Sequence, residues 1–217
     1  MIQSKRLQKI CDTLPQVDVV IDVGCDHGYL EELLIKENKV KKIIATDISL
    51  ASLTKTKVRM QKLGFESKVE CVLADGLNFE SQSKSNFAII AGIGGIETVN
   101  ILKGNKNNVN EFILVPVQNV VAVRDFLICN SYEVLFDETI FEKGKYYSVI
   151  HAKKSNRTNI TNKYFGITDL KNRGKDFEKF VDRELKNLKF LDELSCQDEK
   201  LQEKTNYRNM LLKLKGE

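Results

Sequence analysis

No apolar run in the 217 residues approaches eighteen, and the opening segment Met1-Ile2-Gln3-Ser4-Lys5-Arg6-Leu7-Gln8-Lys9-Ile10 holds no apolar stretch of the secretory kind. Neither a membrane span nor a signal segment is therefore expected. Cysteine is sparse and scattered. Cys11, Cys25, Cys71, Cys129 and Cys196 are odd in number, none forms a C-x-x-C pair, and only two histidines stand elsewhere. Neither a disulfide framework nor a zinc site is readable, which points to reduced thiols used as packing residues, no metal, and a cytoplasmic setting.

What is present is an ordinary globular composition, 42% hydrophobic and 29% charged, enough for one main domain plus an appendage. The charge is unevenly spread. Residues 1–150 carry 18 Lys+Arg against 19 Asp+Glu, and the remainder 16 against 11, so a near-neutral body precedes a basic tail. That distribution suits a catalytic unit attached to something that meets a polyanion.

From Asp18 to about Lys153, short β-branched runs alternate with helical stretches, the pattern of a parallel sheet with helices on both faces. Strands are expected at Val19–Val23, Lys42–Thr46, Val69–Leu73, Phe87–Ala91, Phe112–Val115, Glu133–Phe136 and Tyr146–His151. Helices are expected at Lys5–Thr13, Tyr29–Lys36, Leu50–Leu63, Gly95–Lys103 and Val120–Asn130. The last two strands are separated by a dozen or so residues around Glu142-Lys143-Gly144-Lys145, too few for a helix, so a hairpin with one antiparallel edge strand is expected. The polar run Lys153–Asn159 reads as a linker. Beyond it Phe177, Phe180, Val181, Leu185, Leu188, Leu191 and Leu194, then Leu201, Tyr207, Met210, Leu211 and Leu214, recur at helical spacing. With a short join at Ser195-Cys196-Gln197-Asp198, they predict an antiparallel, coiled-coil-like helical hairpin.

The strongest local signal is Val19-Val20-Ile21-Asp22-Val23-Gly24-Cys25-Asp26-His27-Gly28-Tyr29-Leu30, an apolar strand ending in an acid and passing through two glycines into a helix. Such a turn brings backbone N–H groups close to a ligand, or is simply a tight turn. The G-x-G-x-x-G spacing of a dinucleotide site is missing, so a ligand without phosphates is expected. Asp47 ends the second strand some twenty residues on, where an acid accepts hydrogen bonds from ribose hydroxyls, and Asp75 follows the third strand in Ala74-Asp75-Gly76-Leu77. Each acid alone reads as a cap or turn residue; three at consecutive strand ends mark the crevice where open α/β sheets bind ligands. The fourth strand ends in Gly92-Ile93-Gly94-Gly95, a loop against which a base could lie.

On these residues the chain resembles the class I S-adenosylmethionine-dependent methyltransferases, whose Rossmann-like sheet has seven strands with the last antiparallel. The resemblance implies S-adenosylmethionine as cofactor, with Asp22, Gly24, Asp26, Gly28 and Tyr29 at its methionine end, Asp47 and Ile48 at the ribose, and Asp75, Gly76 and Leu77 at the adenine. The family commonly has glycine where this chain has Asp26. The Asn/Asp-Pro-Pro-aromatic segment of enzymes acting on exocyclic amines is missing, which disfavours N6-adenine chemistry. More narrowly, the Asp-His-Gly-Tyr-Leu turn, the Gly-Ile-Gly-Gly segment, Ser4-Lys5-Arg6-Leu7, Phe112–Pro116, Glu142–Tyr147 and the C-terminal hairpin resemble the bacterial tRNA adenine-22 N1-methyltransferase family (TrmK type). Members tend to read Gln-Pro-Asn after the fifth strand, whereas here Val115-Pro116-Val117 stands with Gln118 and Asn119 displaced.

That resemblance implies a methyltransferase domain over residues 1–153, a linker and tRNA-binding hairpin over 154–217, a monomer with no obligate protein partner, and tRNA as substrate. Asp26, His27 and the backbone of Gly92, Gly94 and Gly95 are the candidates for orienting the adenine, Asp26 being equally readable as a helix cap. Lys5 and Arg6, with Lys171, Arg173, Lys175, Lys179, Arg183, Lys186 and Lys189, are the candidate phosphate contacts, or a solvated face interleaved with Asp176, Glu178, Asp182 and Glu184. Two other expectations stay open: a protein or small-molecule methyltransferase with the hairpin as a lid, and a non-catalytic RNA-binding module of the same fold.

Overall fold

The computed structural model describes residues 4–81, 83–193 and 199–216. Helix α1 (Lys5–Thr13) starts where the Ser4 hydroxyl accepts a hydrogen bond from the Leu7 N–H at 3.3 Å, and ends before Pro15. It leads into β1 (Val17–Val23), α2 (Tyr29–Lys36), β2 (Val40–Asp47), α3 (Leu50–Leu63), β3 (Val69–Leu73), β4 (Phe87–Ala91), α4 (Gly95–Lys103), β5 (Glu111–Val115), α5 (Val120–Cys129), β6 (Tyr132–Glu142) and β7 (Lys145–Lys154).

The seven strands form one sheet in the order β3-β2-β1-β4-β5-β7-β6, parallel except for β7, which runs antiparallel to both neighbours. The order reverses between β1 and β4, and this topological switch point sets the crevice. Burial on both faces explains the continuous apolar runs. Ile21, Val23, Ile90, Phe112 and Leu114 pack under α4 and α5, while their neighbours Val20, Ile89, Ile113 and Val115 pack under α1, α2 and α3.

Two expectations about the hairpin need correction. The antiparallel strand is interior, because β7 inserts between β5 and β6 and leaves β6 at the edge. The connection is also only Lys143-Gly144, both at positive φ (47° and 82°), the mirror-image turn that matches strand twist. β6 reaches Glu142 by way of buried Asp137 and Thr139, polar residues with partners of their own. Arg124 donates to both Asp137 oxygens (2.7 and 2.9 Å), to Ser148 Oγ at 2.9 Å, and to the Tyr164 carbonyl at 2.7 Å.

The segment after β7 is docked rather than free. Asn159 covers the edge of β6, its amide accepting from the Val134 N–H and donating to the Val134 carbonyl, both at 2.8 Å. A helix not foreseen, α6 (Ile167–Asn172), places buried Asp169 to accept from the Thr139 N–H (3.0 Å) and hydroxyl (2.6 Å). α7 (Lys175–Asn187) ends before a 3₁₀ turn at Lys189–Glu193, so the expected apolar stripe is not one helix; Leu194 and the join at 195–198 lie outside the described residues. α8 (Glu199–Lys215) runs back along α7, with Lys215 3.6 Å from Glu178 and Tyr207 3.4 Å from Glu184. Their shared core holds Phe165, Phe177, Val181, Leu188 and Leu211. Among the described residues no helix is long and apolar enough to cross a membrane.

Candidate active site

At the C-terminal ends of β1, β2 and β4 the sheet opens into a cavity of about 630 Å³, within the range of roughly 300–1,000 Å³ common for small-ligand sites. The β1–α2 loop forms its floor. Gly24 N–H and Cys25 N–H donate to the Thr46 carbonyl (2.8 and 3.2 Å), and Gly28 N–H to the Cys25 carbonyl at 3.0 Å. Gly28 sits at φ 73°, and a Cβ there would stand 3.2 Å from the Thr56 backbone, so α3 requires a glycine. Asp26 also adopts positive φ, 45°, a conformation that suits glycine and that aspartate tolerates better than most other residues.

Asp26 does not cap α2. The N-cap is Gly28, with no side-chain bond, and the Asp26 carboxylate lies 67% exposed at the rim, 3.4 Å from His27 Nε2. Tyr29 follows, its ring beneath the Arg59 guanidinium at 4.0 Å. Arg59 is in turn anchored by Glu32.

Asp47 is pre-aimed. One carboxylate oxygen accepts from the Ser49 N–H at 2.8 Å and the other from the Asp26 N–H at 3.4 Å, which fixes the side chain while leaving lone pairs for a diol. Ile48 stands exposed beside it, and Asp75 and Gly76 close the far end with Ala74. Leu77 does not join them. The turn through Gly76 (φ 59°) sends its side chain into the core under α4, where it is 1% exposed.

Asp22 reaches the cavity from β1 but is itself buried, and its partner is an acid that sequence reasoning missed. Burial pushes the Asp22 carboxyl up to about 7, and burial beside Asp22 pushes Glu31 well above the usual carboxylate range. Neither Glu31 oxygen has a donor among the described residues. The upward shift of both acids favours a protonated carboxyl in this pair, which would supply a donor and remove one of two buried charges. The signal lay in the helical pattern, since Glu31 falls among Leu30, Leu34 and Ile35 on the buried part of α2.

The β4–α4 loop divides. Gly92 (φ 81°) and Ile93 line the cavity, and nothing lies within 4 Å of a Cβ built on Gly92. Gly94 and Gly95 face away from it. Gly95 N–H donates to the Gln118 carbonyl at 2.9 Å and Val117 N–H to the Ile93 carbonyl at 3.0 Å, zipping this loop to the segment after β5. A Cβ on Gly95 would meet the Asn119 carbonyl at 2.3 Å, so this glycine serves the close approach of two loops. Val117 and Glu97 complete the mouth, with Arg6 and Leu7 contributed by α1.

The candidate RNA-contacting residues fall into two groups. Lys171, Lys175 and Lys179 are exposed on α6 and α7 with no ion pair among the described residues. Lys186 and Lys189 are likewise exposed, and the others have partners. Lys5 pairs with Asp176, Arg173 with Glu178, the Leu214 carbonyl and the Phe177 ring, and Arg183 lies 4.2 Å over the Tyr146 ring. Arg6 belongs to the cavity.

Comparison with known proteins agrees with this geometry. The chain is 29% identical over 154 residues, 69% of each chain, to a putative tRNA methyltransferase of Mycoplasma genitalium. It is 32% identical over 158 residues, 71% of this chain and 66% of the other, to the tRNA (adenine(22)-N(1))-methyltransferase of Bacillus subtilis, so the match spans just under two-thirds of that relative. The solved structure of Mycoplasma capricolum TrmK in complex with S-adenosyl-homocysteine superposes with a TM-score of 0.88 at 24% identity, over 99% of this chain and 98% of that one, which shows the shared fold. The family model described as "Methyltransferase domain" matches residues 3–150. Every residue lining the cavity falls inside that match, and the chain belongs to the methyltransferase-domain family.

Proposed function

We propose that the chain transfers a methyl group from S-adenosylmethionine to N1 of adenine 22 in the D-arm of bacterial tRNA. The observation that carries this reading is the single cavity in which Asp22, Asp47 and Asp75 stand along one crevice that opens between Gly92 and Val117. Asp47 suits a ribose diol, Ala74, Asp75 and Gly76 suit an adenine, and the acidic wall suits a ligand with two positive centres. The bound cofactor would supply an electrophilic methyl on a sulfonium.

Adenine N1 has an in-plane lone pair that is unprotonated at neutral pH, so no general base is needed to create the nucleophile. As the N1–C bond forms, the C–S bond breaks with its electron pair going to sulfur, and the base becomes cationic. The chain's task is positioning. The open backbone at Gly92 and Ile93 admits a flat base, and the rim carboxylate of Asp26, held near His27, steadies the charge that migrates to it. Exposing the adenine costs a few kcal/mol, which contacts elsewhere on the tRNA must offset. Lys171, Lys175 and Lys179 are suited to supply them. Residues 1–153 are then the catalytic unit and 154–217 the tRNA-contacting unit of a cytoplasmic, monomeric enzyme.

The test is incubation with methyl-labelled S-adenosylmethionine and unmodified bacterial tRNA, followed by nucleoside mass spectrometry and mapping. The expected result is label in 1-methyladenosine at position 22. Cofactor binding without label in tRNA would refute the substrate and redirect the search to proteins and small molecules.

A further inference from the structure

Beside the cavity lies a second, smaller cleft, walled by the segment after β5, the start of β7 and helix α7. Gln118, Asn119, Tyr146, Tyr147, Phe177 and Phe180 line it. The two spaces adjoin. Val117 lines both, and a Cβ built on Gly94 would stand 3.6 Å from Gln118 Nε2, so the Gln118 amide lies against the same β4–α4 loop that borders the cavity. At about 90 Å³ the cleft falls well below the usual size of a small-ligand site and suits part of one flat ring.

Its chemistry is aromatic with polar edges. The Tyr146 ring stands 5.5 Å from Phe180, edge to face, and 4.8 Å from Phe141. No hydrogen-bond partner among the described residues meets the side-chain amides of Gln118 and Asn119 or the hydroxyls of Tyr146 and Tyr147. Rings that stack, with free amides to meet a base edge, are the means by which proteins hold unpaired bases. Helix α7 adds positive charge. Lys175, Lys179 and Arg183 recur every four residues, exposed along the helix that brings Phe180 to the cleft, and the Arg183 guanidinium carbon lies 4.2 Å over the Tyr146 ring.

We infer that this cleft holds an unpaired base of the RNA, one of the two adjoining the target adenine, against the Tyr146–Phe180 wall while the neighbouring phosphates meet the cations of α7. The inference rests on the reading of the chain as a tRNA methyltransferase. Continuity carries it: the cleft begins at Val117, where the mouth of the cavity ends, so a strand that delivers its adenine to the mouth passes the cleft with the next nucleotide. Stacking there offsets part of the cost of parting the adenine from its neighbours.

The experiment is a coupling cycle between protein and RNA. Binding of the wild-type chain, Tyr146→Leu and Tyr146→Phe is measured with S-adenosylhomocysteine present, on intact tRNA transcripts and on transcripts with an abasic residue just before the adenine, just after it, or in its place. Tyr146→Leu on intact RNA, and the wild type on RNA lacking the one adjoining base, should each bind roughly 5- to 100-fold more weakly, the worth of one base stacked on an aromatic ring. Together the two changes should cost no more than either alone, and Tyr146→Phe should stay close to wild type. Any effect of the lesion on RNA folding is common to all the proteins and cancels in the cycle. Losses that multiply independently at both adjoining positions, or wild-type binding by Tyr146→Leu, would overturn the inference. So would coupling only to the lesion in place of the adenine, which would put the target base in the cleft. Cofactor affinity should be unchanged in Tyr146→Leu; if it falls too, as in a misfolded chain, Gln118→Ala, whose exposed amide holds nothing in the fold, replaces it with the same coupling expected. A wild type that binds the cofactor but neither binds nor methylates intact tRNA would overturn the proposed function itself.

Discussion

At the scale of single residues, the Asp22–Glu31 pair decides how the site responds to pH. Asp22 takes its proton more tightly in the fold than in the open chain, its pKa standing at about 7 because of burial. The shared-proton stability is therefore complete below the ordinary carboxylate range and is lost as pH rises through about 7. Glu31→Gln gives Asp22 a permanent N–H donor in place of the titrating proton. The variant should gain stability relative to wild type as pH rises from about 4 to 8, by roughly 1–3 kcal/mol, in urea titrations run at several pH values. Parallel curves for the two proteins would show that no proton is shared.

Residues also show where sequence reasoning reached and where it stopped. Asp47 and Asp75 were legible because a strand end and a turn place them regardless of side-chain packing. Glu31 was not, because an acid inside an apolar stripe looks like an interruption until its partner on β1 is known. Leu77 was misplaced since the positive φ at Gly76 turns its side chain inward, and Gly95 because a need for glycine looks the same whether a ligand or another backbone comes close.

At the scale of elements, the two loops at the mouth act as one. Gly95→Ala forces a Cβ into the Asn119 carbonyl and must part the β4–α4 loop from the segment after β5. Methyl transfer should fall about tenfold or more while cofactor binding, which the proposed function assigns to the β1–α2 and β2–α3 loops, changes less. Equal loss of both would mean that the two ends of the cavity are not separable. The buried Arg124 ties α5, β6, β7 and the chain at Tyr164 together, all three of its guanidinium nitrogens donating, to Asp137, Ser148 and the Tyr164 carbonyl. Arg124→Ala leaves Asp137 charged and alone, a loss of about 3–5 kcal/mol that denaturant melting would report. Helices α1 to α4 began and ended as their periodicity predicted, whereas β6 and β7 were read too short. Their length is set by cross-strand pairing and by buried polar partners such as Asp137, which a single strand's pattern does not display.

At the scale of the whole molecule, the cavity is lined by acids and the segment after residue 150 carries a basic excess, and the proposed function gives the two opposite tasks. The Lys175→Glu, Lys179→Glu double variant should raise the KM for tRNA several-fold and leave cofactor affinity unchanged. If both lysines contact phosphates, the slope of log affinity against log salt should drop by nearly two. An unchanged slope would place the RNA on another face. The docking of α6 and α7 on β6 holds the chain beyond the polar run Lys153–Asn159 against the sheet, and Lys5 on α1 pairs with Asp176 near the start of α7.

Direct attack by adenine N1 can be read out by atomic substitution in the RNA. A tRNA transcript carrying 1-deazaadenosine at position 22 lacks that lone pair while keeping the exocyclic amine. Single-turnover assays should show methylation of the adenosine transcript and none of the deaza transcript, with both RNAs bound equally. Methyl recovered on the deaza base, or on N6 of the natural one, would rule out attack by N1.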